Sequence, residues 1–230
     1  MTTSTQNESH SDDQNIHIEH QKGGIVADIL TLARALLTPI IMIVIIKAWP
    51  MTEGALIASM LFIIAALTDF FDDYFGGTEI APARNFGWFD DIADIILVIG
   101  TLIALAWAMN EKNLLNWMVA IPVTIIIGKE LIIGLVKGFE LSNLNPIEDK
   151  LATAKNALSM LAVSVLVASP WITIWVDRLR ADTDPYAVYY APSPVIWLMG
   201  AGLLWLAALV SLMHGARLFQ ATSHINNGAK

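Results

Sequence analysis

Six apolar runs divide the chain, over about 25–46, 54–75, 87–109, 117–136, 151–174 and 195–213, and short polar connections separate them. Each run is close to the ~20 residues that carry a helix across ~30 Å of hydrocarbon. None shows the ten-residue alternation of a barrel strand, and backbone groups in lipid must be paired within the segment, so helices are predicted. The pattern predicts an all-α integral membrane protein with six transmembrane helices over 25–218. It is flanked by a disordered polar tail over 1–24 and a short C-terminal tail over 219–230.

Composition agrees with the pattern. Of the 230 residues 56% are hydrophobic and 15% charged, and the mean hydropathy is +0.59. These values lie far from those of ordinary soluble domains. The formal net charge of −8 argues against a nucleic-acid partner. The tail lacks the cationic start and short apolar centre of a secretory signal, and His17 and His20 within it read as solvated side chains rather than metal ligands. No cysteine occurs, so disulfides and thiolate metal sites are excluded. With the amino terminus placed inside, Lys22, Arg84, Lys129, Lys137, Lys150, Lys155, Arg217 and Lys230 fall on or near the inner side. Lys47, Lys112, Arg178 and Arg180 fall outside. This bias predicts both termini inside. Trp49, Trp117, Trp171 and Trp175 lie near span ends, where interfacial anchoring accounts for them.

The chemistry concentrates where the second run closes, in ALTDFFDDYFGG at 66–77, and where the third opens, in NFGWFDDIADIILV at 85–98. Asp69 and Asp72 stand three apart and Asp90 and Asp94 four apart, spacings that put each pair on one helical face. Asp73 shares the stripe of Asp69, whereas Asp91 is turned about 100° from Asp90. A short loop would bring both pairs to one membrane boundary. Acidic caps at helix ends would need no function. Crowded carboxylates on the apolar side of the interface, by contrast, call for divalent cations with oxygen ligands.

These residues resemble the signature of the CDP-alcohol phosphotransferases, D-x2-D-G-x2-A-R-x8-G-x3-D-x3-D. Asp69, Asp72, Asp90 and Asp94 occupy its four acidic positions. Asp73 stands at the first glycine, Gly76 and Gly77 at the Ala-Arg pair, and Phe86 at the second glycine, with Gly87 one place late. The likeness extends to ADILTLARALLTP at 27–39, GKELIIGLVKG at 128–138 and LATAKNALSMLA at 151–162. It covers about 25–175 and leaves the loop around DTDPYAVYYAPSP without an explanation.

The resemblance, nearest to the phosphatidylglycerophosphate synthases, implies a transferase of phospholipid biosynthesis. Such an enzyme moves a phosphatidyl group from a CDP-linked lipid such as CDP-diacylglycerol to an acceptor alcohol, glycerol 3-phosphate among them, and releases CMP. It implies two Mg²⁺ or Mn²⁺ ions held by Asp69, Asp72, Asp90 and Asp94, with Asp94 also the general base. Asp73, Gly76, Gly77 and Arg84 would meet the nucleotide diphosphate, and Arg34, Lys129 and Lys155 the phosphate of the acceptor. A homodimer in a bacterial inner membrane, its active site cytoplasmic, is also implied. Two alternatives stay open on the residues alone. One is a relative that binds metal or lipid without turnover; the other is a cation transporter, which would usually hold its aspartates nearer the midplane.

Overall fold

In a computed structural model of the protein, the described residues are 28–74, 87–139, 150–183 and 194–228. Helices fill almost all of them: α1 (Asp28–Ala48), α2 (Thr52–Tyr74), α3 (Gly87–Glu111), α4 (Trp117–Phe139), α5 (Lys150–Thr183) and α6 (Val195–Gly228). Among the described residues four helices are long and apolar enough to cross a membrane: α1, α3, α5 and α6. The apolar part of α2, Thr52–Thr68, is shorter.

Local chemistry sets the turns. Between α1 and α2 the chain reverses within three residues, the Met51 amide donating to the Ala48 carbonyl at 2.9 Å. Gly54 makes that reversal possible, because a Cβ there would lie 2.4 Å from the Ala48 Cβ and 2.5 Å from its carbonyl oxygen. At the far end of α3, Asn113 takes the left-handed conformation with φ 56°. The Leu114 amide reaches back to the Met109 carbonyl at 2.8 Å and the Asn113 amide to that of Asn110 at 3.1 Å, the paired bonds of a Schellman stop. Three residues later Asn116 caps α4, its Oδ1 accepting from the Met118 amide at 3.1 Å.

Pro170 lies inside α5 and cannot donate to the Leu166 carbonyl. The hydroxyl of Ser169 donates to that carbonyl at 2.8 Å instead. Both α5 and α6 outlast their apolar runs, continuing to Thr183 and Gly228. Polar sequence such as VDRLRADT holds no glycine or proline, so helical hydrogen bonding propagates through it. Part of the 176–194 connection is therefore the last turns of α5.

Helix α5 organises the bundle, pairing most extensively with α6 and also with α2 and α3, while α4 lies against α6 and α3. Buried residues recur at three- and four-residue steps on each helix, as in Ala201, Leu204, Ala207, Ala208 and Ser211 of α6. Small residues let axes approach. A Cβ on Gly200 would meet Leu166 of α5 at 2.9 Å, and one on Gly100 would meet Met42 Sδ of α1 at 3.0 Å. Opposite faces carry exposed large apolar side chains, among them Leu32, Leu36, Ile40 and Ile43 of α1, as suits a surface solvated by lipid.

The tryptophans divide into two kinds. Trp117 and Trp175 are exposed, at 66% and 61%. Trp49 is buried, its indole N–H donating to the Val167 carbonyl at 3.3 Å, and that of Trp171 donates to Ser59 Oγ at 3.0 Å. These two join helices to one another, because an indole taken out of solvent needs an acceptor for its N–H.

Candidate functional site

An up-and-down helix order gathers six segments at one end of the bundle: the starts of α1, α3 and α5 and the ends of α2, α4 and α6. Among the described residues the buried charged side chains, Arg34, Asp94, Lys129 and Lys155, collect there. Arg34, on the buried stripe of α1, has no exposed surface. Its guanidinium donates through Nη1 to Asp94 Oδ1 of α3 and through Nε to Thr68 Oγ1 of α2, the latter at 3.4 Å. The Thr68 hydroxyl spends its own proton on the Ala65 carbonyl at 2.6 Å, which leaves its oxygen free to accept. One α1 side chain thus ties the end of α2 to the start of α3, immediately before Asp69 in the sequence. A buried ion pair of this kind is held by Coulomb attraction strengthened by the low dielectric and opposed by lost hydration.

A second ionic group forms between α4 and α5. Glu130 Oε1 accepts from Lys129 Nζ at 2.8 Å and from Lys155 Nζ at 2.6 Å. The three side chains are 8–10% exposed. Gly215 of α6 lies beside the Lys129 stem, where a Cβ would stand in ordinary van der Waals contact 3.5 Å from Lys129 Cγ. Asp94, Glu130, Lys155, Asn156 and Ser159 line a cavity of about 20 Å³ that connects the two ionic groups. One carboxylate against two ammonium groups leaves the second cluster with an excess positive charge.

Among the residues singled out from the sequence, the structure joins Arg34 to Asp94, and Lys129 to Lys155 through Glu130. Asp69, Asp72 and Asp73 fall in the last turns of α2, and Asp90 and Asp91 in the first turns of α3. Their side chains lie outside the described residues, as do Gly76, Gly77 and Arg84. Glu130, Thr68, Asn156 and Ser159 received no role from the sequence. For Glu130 a signal existed: an acid between Lys129 and Leu131 inside an apolar helix needs a partner at that depth. Thr68 gave none, because a threonine in such a helix ordinarily bonds its own backbone.

The chain is 27% identical over 217 residues to a CDP-diacylglycerol–glycerol-3-phosphate 3-phosphatidyltransferase of Cereibacter sphaeroides, a match spanning 85% of this chain and 94% of that protein. Proteins of the same description from Escherichia coli (strain K12) and Salmonella choleraesuis (strain SC-B67) are 27% and 26% identical over 155 residues, 66% of this chain and 80% of theirs. The profile of CDP-alcohol phosphatidyltransferase matches residues 24–213, nearly the whole helical region. With its signature aspartates at the helix ends that Arg34 draws together, the chain belongs to the CDP-alcohol phosphatidyltransferase family and is a membrane transferase of phospholipid biosynthesis.

Proposed function

We propose that the protein transfers the phosphatidyl group of CDP-diacylglycerol to glycerol 3-phosphate, in a domain of six membrane-spanning helices acting as a homodimer. The observation that carries this reading is the hold of Arg34 on both Asp94 and Thr68, which sets the last turns of α2 beside the start of α3. The relatives compared above carry this activity in their names. The basic residues favour a site on the cytoplasmic face of a bacterial inner membrane. There a donor can keep its acyl chains in lipid and its nucleotide in water.

Carboxylates at three- and four-residue spacing on two helix ends form a hard oxygen donor set, and that chemistry fits Mg²⁺ or Mn²⁺. Asp69, Asp72 and Asp90 would hold two such ions, with Asp94 beside them. When bound, the ions neutralise charge on the diphosphate oxygens. Arg34 fixes the carboxylate of Asp94, which takes the proton of the acceptor hydroxyl as its oxygen attacks the phosphatidyl phosphorus. The bond from that phosphorus to the bridging oxygen breaks, and CMP leaves with the electron pair. Lys155 and Lys129 take the acceptor's phosphate, since an anion approaching an acidic site needs cations to receive it. Asp73 adds a carboxylate near the ions, and Arg84 supplies the cation that Gly77 lacks, with Gly76 and Gly77 giving the loop freedom to bring it.

The test is CMP release by purified protein in mixed micelles containing CDP-diacylglycerol and Mn²⁺, offered glycerol 3-phosphate, inositol, serine and glycerol in turn. Release with glycerol 3-phosphate alone is the expected result. Faster release with any acceptor lacking a phosphate removes the acceptor assignment.

A further inference from the structure

Lys129 and Lys155 reach the same atom, Glu130 Oε1, at 2.8 and 2.6 Å, and all three side chains are nearly buried. Two ammonium groups converging on one anionic oxygen is also how a phosphate would be received. From this geometry we infer that Glu130 is an internal stand-in for the acceptor's phosphate. It keeps both lysines paired between turnovers and yields Lys155 only to a phosphate monoester. The inference rests on the reading that these lysines take that phosphate.

Space and charge both support it. The cavity that links Glu130 and Lys155 to Asp94 has a volume of about 20 Å³. That is room for about one water molecule and not for a phosphate group. An acceptor can stand between Lys155 and Asp94 only after the Glu130 to Lys155 contact opens. Opening it exposes a nearly buried ammonium to the loss of its counter-ion, a change that is strongly unfavourable unless another anion arrives. A phosphate dianion brings that anion together with several acceptor oxygens. A neutral alcohol brings neither, so it meets a closed site. Glu130 therefore acts as a specificity-determining residue, favouring acceptors that carry a phosphate over those that carry only hydroxyls. Its own position helps the exchange: it is the chain neighbour of Lys129, so it can keep that partner while releasing Lys155.

The test measures binding of inorganic phosphate to the detergent-solubilised full chain by calorimetry. Glu130→Gln removes the internal competitor, so phosphate should bind about tenfold or more tightly than to wild type. The same variant should melt earlier in chloride and recover in phosphate. A glutamate with a merely structural role predicts phosphate binding that is weaker or unchanged, and that result overturns the inference. Glu130→Asp keeps the charge but withdraws it by one methylene, and it should tighten phosphate binding by a smaller factor. Should Glu130→Gln fail to fold, the absence of tightening in Glu130→Asp overturns the inference alone.

Lys155→Met separates the two levels of the argument. If it binds phosphate as wild type does, the lysine site itself is misassigned. If it loses phosphate while Glu130→Gln is unchanged from wild type, only the stand-in role fails. Parallel titrations with glycerol 3-phosphate and with phosphatidic acid in micelles distinguish a soluble monoester from a lipid headgroup. Tightening confined to phosphatidic acid overturns the inference, because the site is assigned to a water-soluble acceptor.

Discussion

The buried stripe of α1 changes character halfway along one helix. Thr31, Arg34 and Thr38 lie on its first half and Ile41 and Ile45 on its second, with Trp49 continuing the stripe just past its end, all at three- or four-residue steps and all at most 3% exposed. The second half belongs to an apolar cluster with Ala55, Phe62, Leu166 and Leu204. The first half faces Asp94 and Thr68. Burial is equal, so burial does not separate structure from function here. What separates them is the kind of group buried. Apolar contacts in the second half add stability with every methylene packed. Charges in the first half return in Coulomb energy little more than they lose in hydration, and function is the reason to keep them.

Several substitutions would break or sharpen that contrast. The largest effect belongs to Asp94→Asn, which should lower CMP release by roughly 10²- to 10⁴-fold, the range for loss of a general base. Donor binding should survive, which equilibrium binding of a CDP-lipid would show. Near wild-type turnover would remove Asp94 from the mechanism.

Next in size is the expected loss of Mn²⁺ affinity in Asp90→Asn. Removing a direct ligand should exceed the roughly 10- to 100-fold seen when an outer-shell partner is lost. Asp91→Asn, one residue on and about 100° further round the helix by its register, should bind Mn²⁺ as wild type does in the same electron paramagnetic resonance titration. Equal losses at both positions would reject the helical register.

Arg34→Met removes the guanidinium that donates to Asp94 and should cost about 3–5 kcal/mol in detergent unfolding, the range for breaking a buried ion pair. Adding Asp94→Leu should restore most of that stability while leaving the enzyme inactive. That pairing tests the contrast directly, because the charged half would then gain stability only by losing its chemistry. A smaller effect is expected at the opposite end of the bundle from the ion pairs: Gly200→Val forces Leu166 aside, at about 1–3 kcal/mol for overpacking, with the acceptor KM unchanged. The smallest effect is kinetic. Arg84→Ala should reduce CMP release about tenfold, as for loss of one charge-assisted hydrogen bond, whereas Lys112→Ala at the other end should be silent.

Legibility followed the range of the interactions. Helix existence and approximate limits were readable, because a span is set by its own run of apolar side chains and its own backbone bonds. The ends of α5 and α6 were not, since polar residues with good helix propensity extend a helix without any hydropathic signal. Spacing singled out Asp69, Asp72, Asp90 and Asp94, and of these only the Asp94 side chain lies among the described residues. The oddity of Arg34, Lys129 and Lys155 in apolar surroundings was visible too, although all three were grouped as one set of phosphate ligands. In the fold Arg34 pairs with Asp94, sixty residues away, and the lysines pair with Glu130.

By itself, then, the sequence determined an all-helical membrane chain and the family signature, because periodicity, apolar length and carboxylate spacing are local properties. Which charge neutralises which was decided only in the tertiary structure. A buried cation takes the anion that helix packing puts within reach. Between Arg34 and Asp94, and between Lys155 and Glu130, that reach is made by whole helices crossing, not by neighbours in the chain.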